Sequence, residues 1–273
     1  MKFQVISLMP EMILSGLKEG VVAQSIERKL VSIECLNPRK FTSDVHQSID
    51  DRPYGGGDGM IMMAEPLEQA IDYFRKQQEE PGEFIYLSAR GEVFHDQMAR
   101  DFAKRKTMSL ICGRYGGVDQ RVLAKNKVRE ISIGDYILSG GELAALVLID
   151  AIARHLPGVL GNKESAEQDS FAQGLLEAPS FTRTRNWSDL ETPEVLLSGD
   201  HKKTAEWRSF VSLISTIQMR EDLFLKKDLK LQILKAAKNF FEKMPKSERF
   251  VCGLIDEQRI LQTLDDAILR AGT

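Results

Sequence analysis

The first half of the chain alternates between short apolar runs and amphipathic stretches. Runs rich in β-branched and aromatic residues predict strands at residues 3–8, 84–87, 108–112 and 128–133. Apolar positions spaced three and four apart predict helices at residues 65–76, 93–104, 118–125 and 142–156. Strands separated by helices indicate a parallel sheet covered by helices, so the predicted fold class is α/β.

The pattern changes after residue 160. Residues 161–174 are small and polar and carry little periodicity, which predicts a flexible linker or mobile lid. Helical periodicity returns at residues 204–225 and 228–243 and again from residue 257. We therefore expect a sheet domain at 1–160, the linker at 161–174, and a smaller, mainly helical domain at 175–273.

Composition narrows the class of protein but not its activity. The 273 residues are 42% hydrophobic and 28% charged, as in a folded globular protein. The net charge of −3 provides no overall attraction to nucleic acid, so any RNA contact needs a local basic surface. Three isolated cysteines and four scattered histidines indicate neither a disulfide framework nor a metal site. With the first apolar run broken at Pro10, we expect no membrane span and a cytoplasmic location.

Glycine-rich segments mark the candidate site. They lie at residues 50–60, 112–121 and 131–142, and the last two follow predicted buried strands. Ligands of open α/β sheets bind beyond the carboxyl ends of the strands, although tight structural turns are the alternative interpretation. No segment carries the Gly-Lys-Ser/Thr of a P-loop. Apolar walls from Leu87, Ile133, Tyr136 and Leu138 would suit an uncharged adenosine better than a triphosphate.

Five ordered segments resemble the bacterial tRNA (guanine-N1)-methyltransferase family of the SPOUT superfamily. They begin at Asp50 (DDRPYGGG), Cys112 (CGRY), Ser132 (SIGDYILSGGE), Pro157 (PGVLG) and Asp169 (DSF). The resemblance extends from the N-terminus to about residue 208. It implies a deep trefoil knot in the sheet domain, a homodimer with active sites shared between chains, and methyl transfer to guanosine 37 of tRNA. It also implies S-adenosylmethionine as the methyl donor, with Mg²⁺ as a possible supporting ion.

The resemblance assigns the cofactor to three loops of the knot. The residues that would hold S-adenosylmethionine are Tyr86, Leu87, Ser88, Gly113, Tyr115, Ser132, Ile133, Gly134, Asp135, Tyr136, Ile137, Leu138, Gly140 and Gly141.

Two further residues receive catalytic roles from the same resemblance. Guanine N1 carries a proton, so methylation needs a base near N1 and a positive group near O6. The family pattern gives Asp169 the first role and Arg154 the second. Without the resemblance, the favoured interpretation of Arg154 is a cation at a helix C-terminus, and that of Asp169 is a helix N-cap.

Candidate tRNA contacts are mostly short basic islands. They are Asp50, Arg52, Glu177, Arg183, Arg185, Lys202, Lys203 and Arg208. Trp207 beside them is expected either to stack on a base or to anchor the helical domain.

Several positions depart from the family pattern. Ala89 and Ala144 replace usual prolines, Gly116 replaces an acidic residue, and Glu177 replaces an aspartate. Because an acidic side chain at 116 would suit the methionine ammonium, we expect altered cofactor affinity. The chain also continues past the family's usual end as a C-terminal extension.

Two other functions stay open on sequence alone. A ribose 2′-O-methyltransferase of the same superfamily would not need Asp169. A non-catalytic RNA-binding protein could keep the knot as a scaffold, although both proposed catalytic residues are retained here.

Overall fold

The computed structural model describes residues 1–56, 59–78, 82–161 and 169–272. The chain separates into two compact units, Met1–Ala166 and Glu167–Thr273. Half of the expected linker at 161–174, residues 162–168, lies outside the described residues.

A five-stranded parallel sheet forms the centre of the first unit. Its strands are β1 (Lys2–Ile6), β2 (Ser32–Leu36), β5 (Phe84–Val93), β6 (Thr107–Cys112) and β7 (Arg129–Ser132), in the order β2-β1-β6-β5-β7. The α/β class, the parallel sheet and the four predicted strands are confirmed. β2 was not predicted, because it is an edge strand whose side chains are mostly half-exposed and lack an apolar run.

Apolar side chains cover both faces of this sheet. Ile85 and Leu87 of β5 pack into one buried cluster, whereas Phe84 and Tyr86 pack into another. Successive strand residues point to opposite faces, so both faces of β5 are buried. The helices of this unit are α1 (Pro10–Gly16), α2 (Gly20–Glu27), α3 (Ala64–Lys76), α4 (Asp96–Ala103), α5 (Gln120–Lys125) and α6 (Glu142–Ala153). A 3₁₀ turn (Pro38–Phe41) and a short antiparallel pair, β3 (Asp50–Asp51) with β4 (Ile61–Met62), complete the unit.

Capping side chains explain why two helices begin later in the chain than the sequence predicts. The helix predicted from residue 93 begins at Asp96, because Val93 still belongs to β5 and His95 Nδ1 accepts the Met98 amide. The helix predicted from residue 118 begins at Gln120, where Asp119 accepts the amide of Arg121.

Among its described residues, the second unit is irregular up to residue 185 and then consists of one hairpin and a series of helices. The hairpin joins β8 (Asn186–Trp187) to β9 (Leu190–Glu191). The helices are α7 (Glu194–Leu197), α8 (His201–Met219), α9 (Glu221–Leu225), α10 (Leu231–Lys243), α11 (Lys246–Val251) and α12 (Glu257–Ala271). The single helix predicted at 204–225 was wrong, because the backbone of Arg220 (φ −144°, ψ 60°) separates α8 from α9.

One apolar cluster holds these helices together. It includes Trp207, Ile214, Phe241 and Ile260, all buried. Among the described residues, no helix is both long and apolar enough to cross a membrane.

Candidate active site

An excursion within β5 forms the first wall of the candidate site. Ile131 of β7 lies opposite Leu87 and again opposite Glu92, so residues 88–91 leave the ladder between two paired stretches. A Cβ added at Gly91 would collide with the backbone of Glu130 and Ile131. Glycine therefore lets the strand fold back against its neighbour, and the excursion presents residues 88–89 to a cavity.

The loop after β6 forms the second wall. Tyr115 has φ +58° and Gly117 has φ +113°, so the chain reverses within three residues. The Gly116 amide donates to Met60 O at 2.8 Å, and the Met62 amide donates to Gly117 O at 2.9 Å. These bonds tie the loop to β4.

The loop after β7 forms the third wall and contacts the second directly. The Gly141 amide donates to Gly113 O at 3.0 Å. A Cβ at Gly141 would lie 2.7 Å from Cys112 Cα, and one at Gly113 would lie 2.6 Å from the Tyr86 hydroxyl. Glycine is required at both positions because the backbones and Tyr86 fill that space.

The three loops enclose a cavity of about 220 Å³. All the residues predicted to hold a cofactor line it except Asp135, which is exposed. The lining residues that the sequence analysis missed are Ala89, Arg114, Gly116, Gly117, Ile131, Ser139 and Ala144. Most of these belong to the glycine-rich segments already identified, so taking whole segments rather than motif positions would have found them.

Two titratable groups at this site are held neutral. Burial, followed by the nearby Glu130, raises the pKa of the Tyr86 phenol above its usual value. Burial raises the pKa of the Cys112 thiol well above its usual value, with Glu142 adding to the effect. Cys112 is therefore not a thiolate nucleophile, and Tyr86, which lines the cavity, is uncharged.

A buried carboxylate lies beneath the loops. Glu142 is the first residue of α6 and is 1% exposed. It accepts the Ser7 hydroxyl at 2.7 Å and forms an ion pair with Arg114 at 3.1 Å. Arg114 also donates to Ser139 O at 3.2 Å. No sequence pattern predicts this network, because its members are distant along the chain.

Arg154 lies apart from the cavity of its own chain. It is the exposed C-cap of α6 and is not among the lining residues. Ala144, near the start of the same helix, does line the cavity. Ten residues at 1.5 Å each place Arg154 about 15 Å farther along the axis. The structure thus does not bring Arg154 to the cavity within one chain.

Asp169 belongs to the second unit. Turns follow it rather than a helix, so the alternative interpretation of Asp169 as a helix N-cap is wrong. Phe171 in these turns has φ +74°.

Most of the predicted tRNA contacts are exposed. Exposed members are Arg52, Glu177, Arg183, Arg185, Lys202, Lys203 and Arg208, whereas Asp50 is half-buried in β3. Trp207 is 3% exposed and donates its indole N–H to Glu248 at 2.7 Å. It therefore anchors the helical unit, and the interpretation that it stacks on a base is wrong.

Comparison with known proteins gives concordant matches. The family model described as tRNA (Guanine-1)-methyltransferase TrmD matches residues 1–226. A relative from Neisseria meningitidis named tRNA (guanine-N(1)-)-methyltransferase is 41% identical over 263 residues, covering 96% of this chain and all of that protein. Proteins of the same name from Pseudoalteromonas translucida (47% identical, 80% of this chain, 86% of that protein) and Carboxydothermus hydrogenoformans (46%, 82% and 87%) are also similar.

Proposed function

The chain belongs to the tRNA (guanine-1)-methyltransferase family, and on that premise we propose that it methylates N1 of guanosine 37 in tRNA with S-adenosylmethionine as the donor. The observation that carries this proposal is the cavity at the carboxyl ends of β5, β6 and β7. Its walls are glycine-rich backbone and apolar side chains, the chemistry that an uncharged nucleoside with a short zwitterionic tail requires.

The residues present fit such a donor. Gly113 and Gly141 line the cavity and leave no room for a side chain, so any polar contact that they make to a ligand comes from the backbone. We assign the adenine to the slot between Leu87, Ile133 and Leu138. When bound, S-adenosylmethionine supplies an electrophilic methyl group on a sulfonium. We also propose that the chain passes through itself here as a deep trefoil knot, which the family resemblance implies.

Asp169 and Arg154 complete the proposed chemistry. The Asp169 carboxylate accepts the N1 proton of guanine, which frees the lone pair on N1 for attack on the methyl carbon. The Arg154 guanidinium, permanently positive, stabilises the negative charge that develops on O6.

A second copy of the chain completes the proposed site. Arg154 lies about 15 Å beyond Ala144 on its own helix, farther than its side chain extends, so its own cavity does not receive it. The exposed side chains of Leu143 and Val147 form an apolar stripe on the same helix. We propose that this stripe packs against its counterpart in a homodimer and that each active site combines residues of both chains.

We propose that exposed basic side chains of the second unit bind the tRNA. The exposed side chains of Arg183, Arg185, Lys202 and Arg208 would contact phosphates of the anticodon stem-loop. In the described part of the chain, no group of three or more His, Cys, Asp or Glu residues could hold a metal ion. We assign no step to Mg²⁺.

Methyl transfer to defined transcripts tests the proposal. The full chain is incubated with S-adenosylmethionine and a tRNA transcript carrying guanosine 37, or adenosine in its place, and the nucleosides are separated by mass spectrometry. We expect 1-methylguanosine from the first transcript and no methylation of the second. Equal methylation of both transcripts, or a 2′-O-methylated product, would overturn the proposal in favour of another methyltransferase. Failure to methylate either would favour a non-catalytic RNA-binding role.

A further inference from the structure

Leu176 is hydrogen-bonded through both of its backbone polar groups to hydroxyls of α8. Its amide donates to Thr216 Oγ1 at 2.9 Å, and its carbonyl accepts the Ser212 hydroxyl at 2.5 Å. Ser212 and Thr216 are four residues apart and so lie on one face of the helix. The Thr216 hydroxyl also donates to Ser212 O at 2.7 Å, which fixes its orientation toward Leu176. We call these three residues the hydroxyl clasp.

The clasp is partly shielded from water, with Ser212 and Leu176 half-buried. Thr216 is fully buried. Leu175, the neighbour of Leu176, packs against the apolar core of the helical unit. Hydrogen bonds shielded from water are costly to leave unmade, so the clasp has one strongly preferred geometry.

Hydrogen bonds within residues 170–177 connect the clasp to the residue that follows Asp169. The Glu177 amide donates to the Ser170 hydroxyl at 3.1 Å. The Phe171 amide donates to Leu175 O at 2.7 Å, and the Gly174 amide donates to Phe171 O at 2.8 Å. Residues 170–177 therefore form a closed loop whose far end is held by α8 and whose near end adjoins Asp169.

We infer that Ser212 and Thr216 are positioning residues for methyl transfer, holding the loop that carries Asp169 against α8 so that the helical unit determines where the base lies. This inference rests on the proposed role of Asp169 as the base. Because α8 also carries Lys202, Lys203 and Arg208, the same helix would link the grip on tRNA to the placement of the base.

Matched variants of the hydroxyls test the clasp in the full-length protein. Thr216→Val keeps the shape of the side chain but removes the acceptor for Leu176, and Thr216→Ser keeps the hydroxyl. Ser215→Ala is the control, since Ser215 is buried on the same helix but lies outside the clasp. Hydrogen exchange at the Leu176 amide should accelerate about tenfold in Thr216→Val, the effect of losing one buried hydrogen bond. Exchange in Thr216→Ser and Ser215→Ala should match that of the native chain. Native exchange in Thr216→Val would overturn the clasp.

Single-turnover methyl transfer tests the positioning role. Thr216→Val should slow transfer about 10- to 100-fold, the size of effect expected from displacing a reacting group by about 1 Å. Its Kd for S-adenosylmethionine should be unchanged, and Thr216→Ser should restore the rate. In an Asp169→Asn background, Thr216→Val should cause no further loss. A native rate despite faster exchange would overturn the positioning role. Native turnover in Asp169→Asn alone would instead overturn the assignment of the base, which keeps the two failures apart.

Discussion

Arg114 and Glu142 join the two glycine-rich loops through an ion pair with an Nε–Oε2 distance of 3.1 Å. The Glu142 side chain is 1% exposed and that of Arg114 is 14% exposed. Arg114 follows β6 and Glu142 begins α6, while the hydroxyl of Ser7, just after β1, donates to the second carboxylate oxygen. The separation of two cavity walls is therefore set by a charge pair shielded from water.

Removing the charge of Glu142 should loosen both walls. Glu142→Gln keeps the side-chain shape but leaves the nearly buried guanidinium of Arg114 beside a neutral amide. We expect a loss of about 3 kcal/mol in unfolding free energy, because breaking a buried pair leaves an uncompensated charge. Urea unfolding followed by circular dichroism measures this loss. Tryptophan fluorescence is not suitable, because both tryptophans lie in the second unit. Asp101→Asn, in an exposed pair with Lys104, is the control and should leave the unfolding free energy almost unchanged, because exposed ion pairs contribute little. If the two changes lowered the unfolding free energy equally, the proposed stabilisation of the two walls by Glu142 would be refuted.

A methyl group at Gly141 should abolish tight cofactor binding. The added Cβ would lie 2.7 Å from Cys112 Cα, and backbone cannot move aside as a flexible side chain can. We expect Gly141→Ala to weaken binding of S-adenosylmethionine by about 100-fold, the scale of about 3 kcal/mol of overpacking. Isothermal calorimetry measures the Kd. Gly161→Ala is the control, because a Cβ at Gly161 meets only open space. Native affinity in Gly141→Ala would place the cofactor elsewhere.

Changes at the proposed catalytic groups should affect turnover without affecting binding of the donor. Asp169→Asn and Arg154→Ala should each reduce the single-turnover rate by about 10²- to 10⁴-fold. The Kd for S-adenosylmethionine should stay within about twofold, a shift of under 0.5 kcal/mol, because neither residue lines the cavity of its own chain. Asp189→Asn is the control, an exposed carboxylate in a left-handed turn that Asn tolerates. A native rate in either variant removes that residue from the mechanism.

Replacing the two arginines before the hairpin should weaken tRNA binding in a salt-dependent way. Arg183 and Arg185 are exposed and close in sequence. If both contact phosphates, Arg183→Ala with Arg185→Ala should reduce the slope of log affinity against log salt by about 1.4 to 1.8, the counterions of two phosphates. Filter binding across a salt series measures the slope. Lys246→Ala, an exposed lysine, should leave it unchanged. An unchanged slope in the double variant would exclude these arginines from the interface.

His155 should make the first unit less stable in mild acid. Burial lowers the pKa of His155 below its usual 6.5, and the opposing attraction of Asp96 at 3.0 Å only partly offsets this. The unfolded chain therefore binds a proton more readily than the folded one, so stability falls as pH decreases through and below 6.5. His155→Gln should flatten this dependence. Urea midpoints at pH 7.5 and 5.5, compared between the native chain and the variant, measure it. Identical pH dependence in the two proteins would show that other groups cause the loss.

Sequence periodicity predicted the sheet because its strands are buried on both faces. Residues 108–112 are almost wholly apolar, and such a short run is typical of a parallel strand buried on both faces. β2 escaped prediction because an edge strand needs no continuous apolar run. The extension of β5 to Val93 and the helix break at Arg220 were not predicted either. Strand pairing and backbone dihedrals at those points depend on tertiary contacts.

The candidate site was only partly predictable, for a different reason. Glycine-rich segments identified the cavity because close backbone packing leaves a local signature. The network of Ser7, Arg114 and Glu142 leaves none, since its members are 28 to 135 residues apart and meet only in the fold. The distance of Arg154 from its own cavity was equally hidden, because it depends on the direction of α6.

The strand order has a consequence for how the chain is made. β1 lies between β2 and β6, so Lys2 pairs with Ser32 on one side and Thr107 on the other. On the ribosome, β1 must wait for about a hundred residues of synthesis before its second neighbour emerges. Such long-range parallel pairing is slow and leaves apolar strand surface open to aggregation. The nascent first unit should therefore be a target for chaperones until β6 emerges.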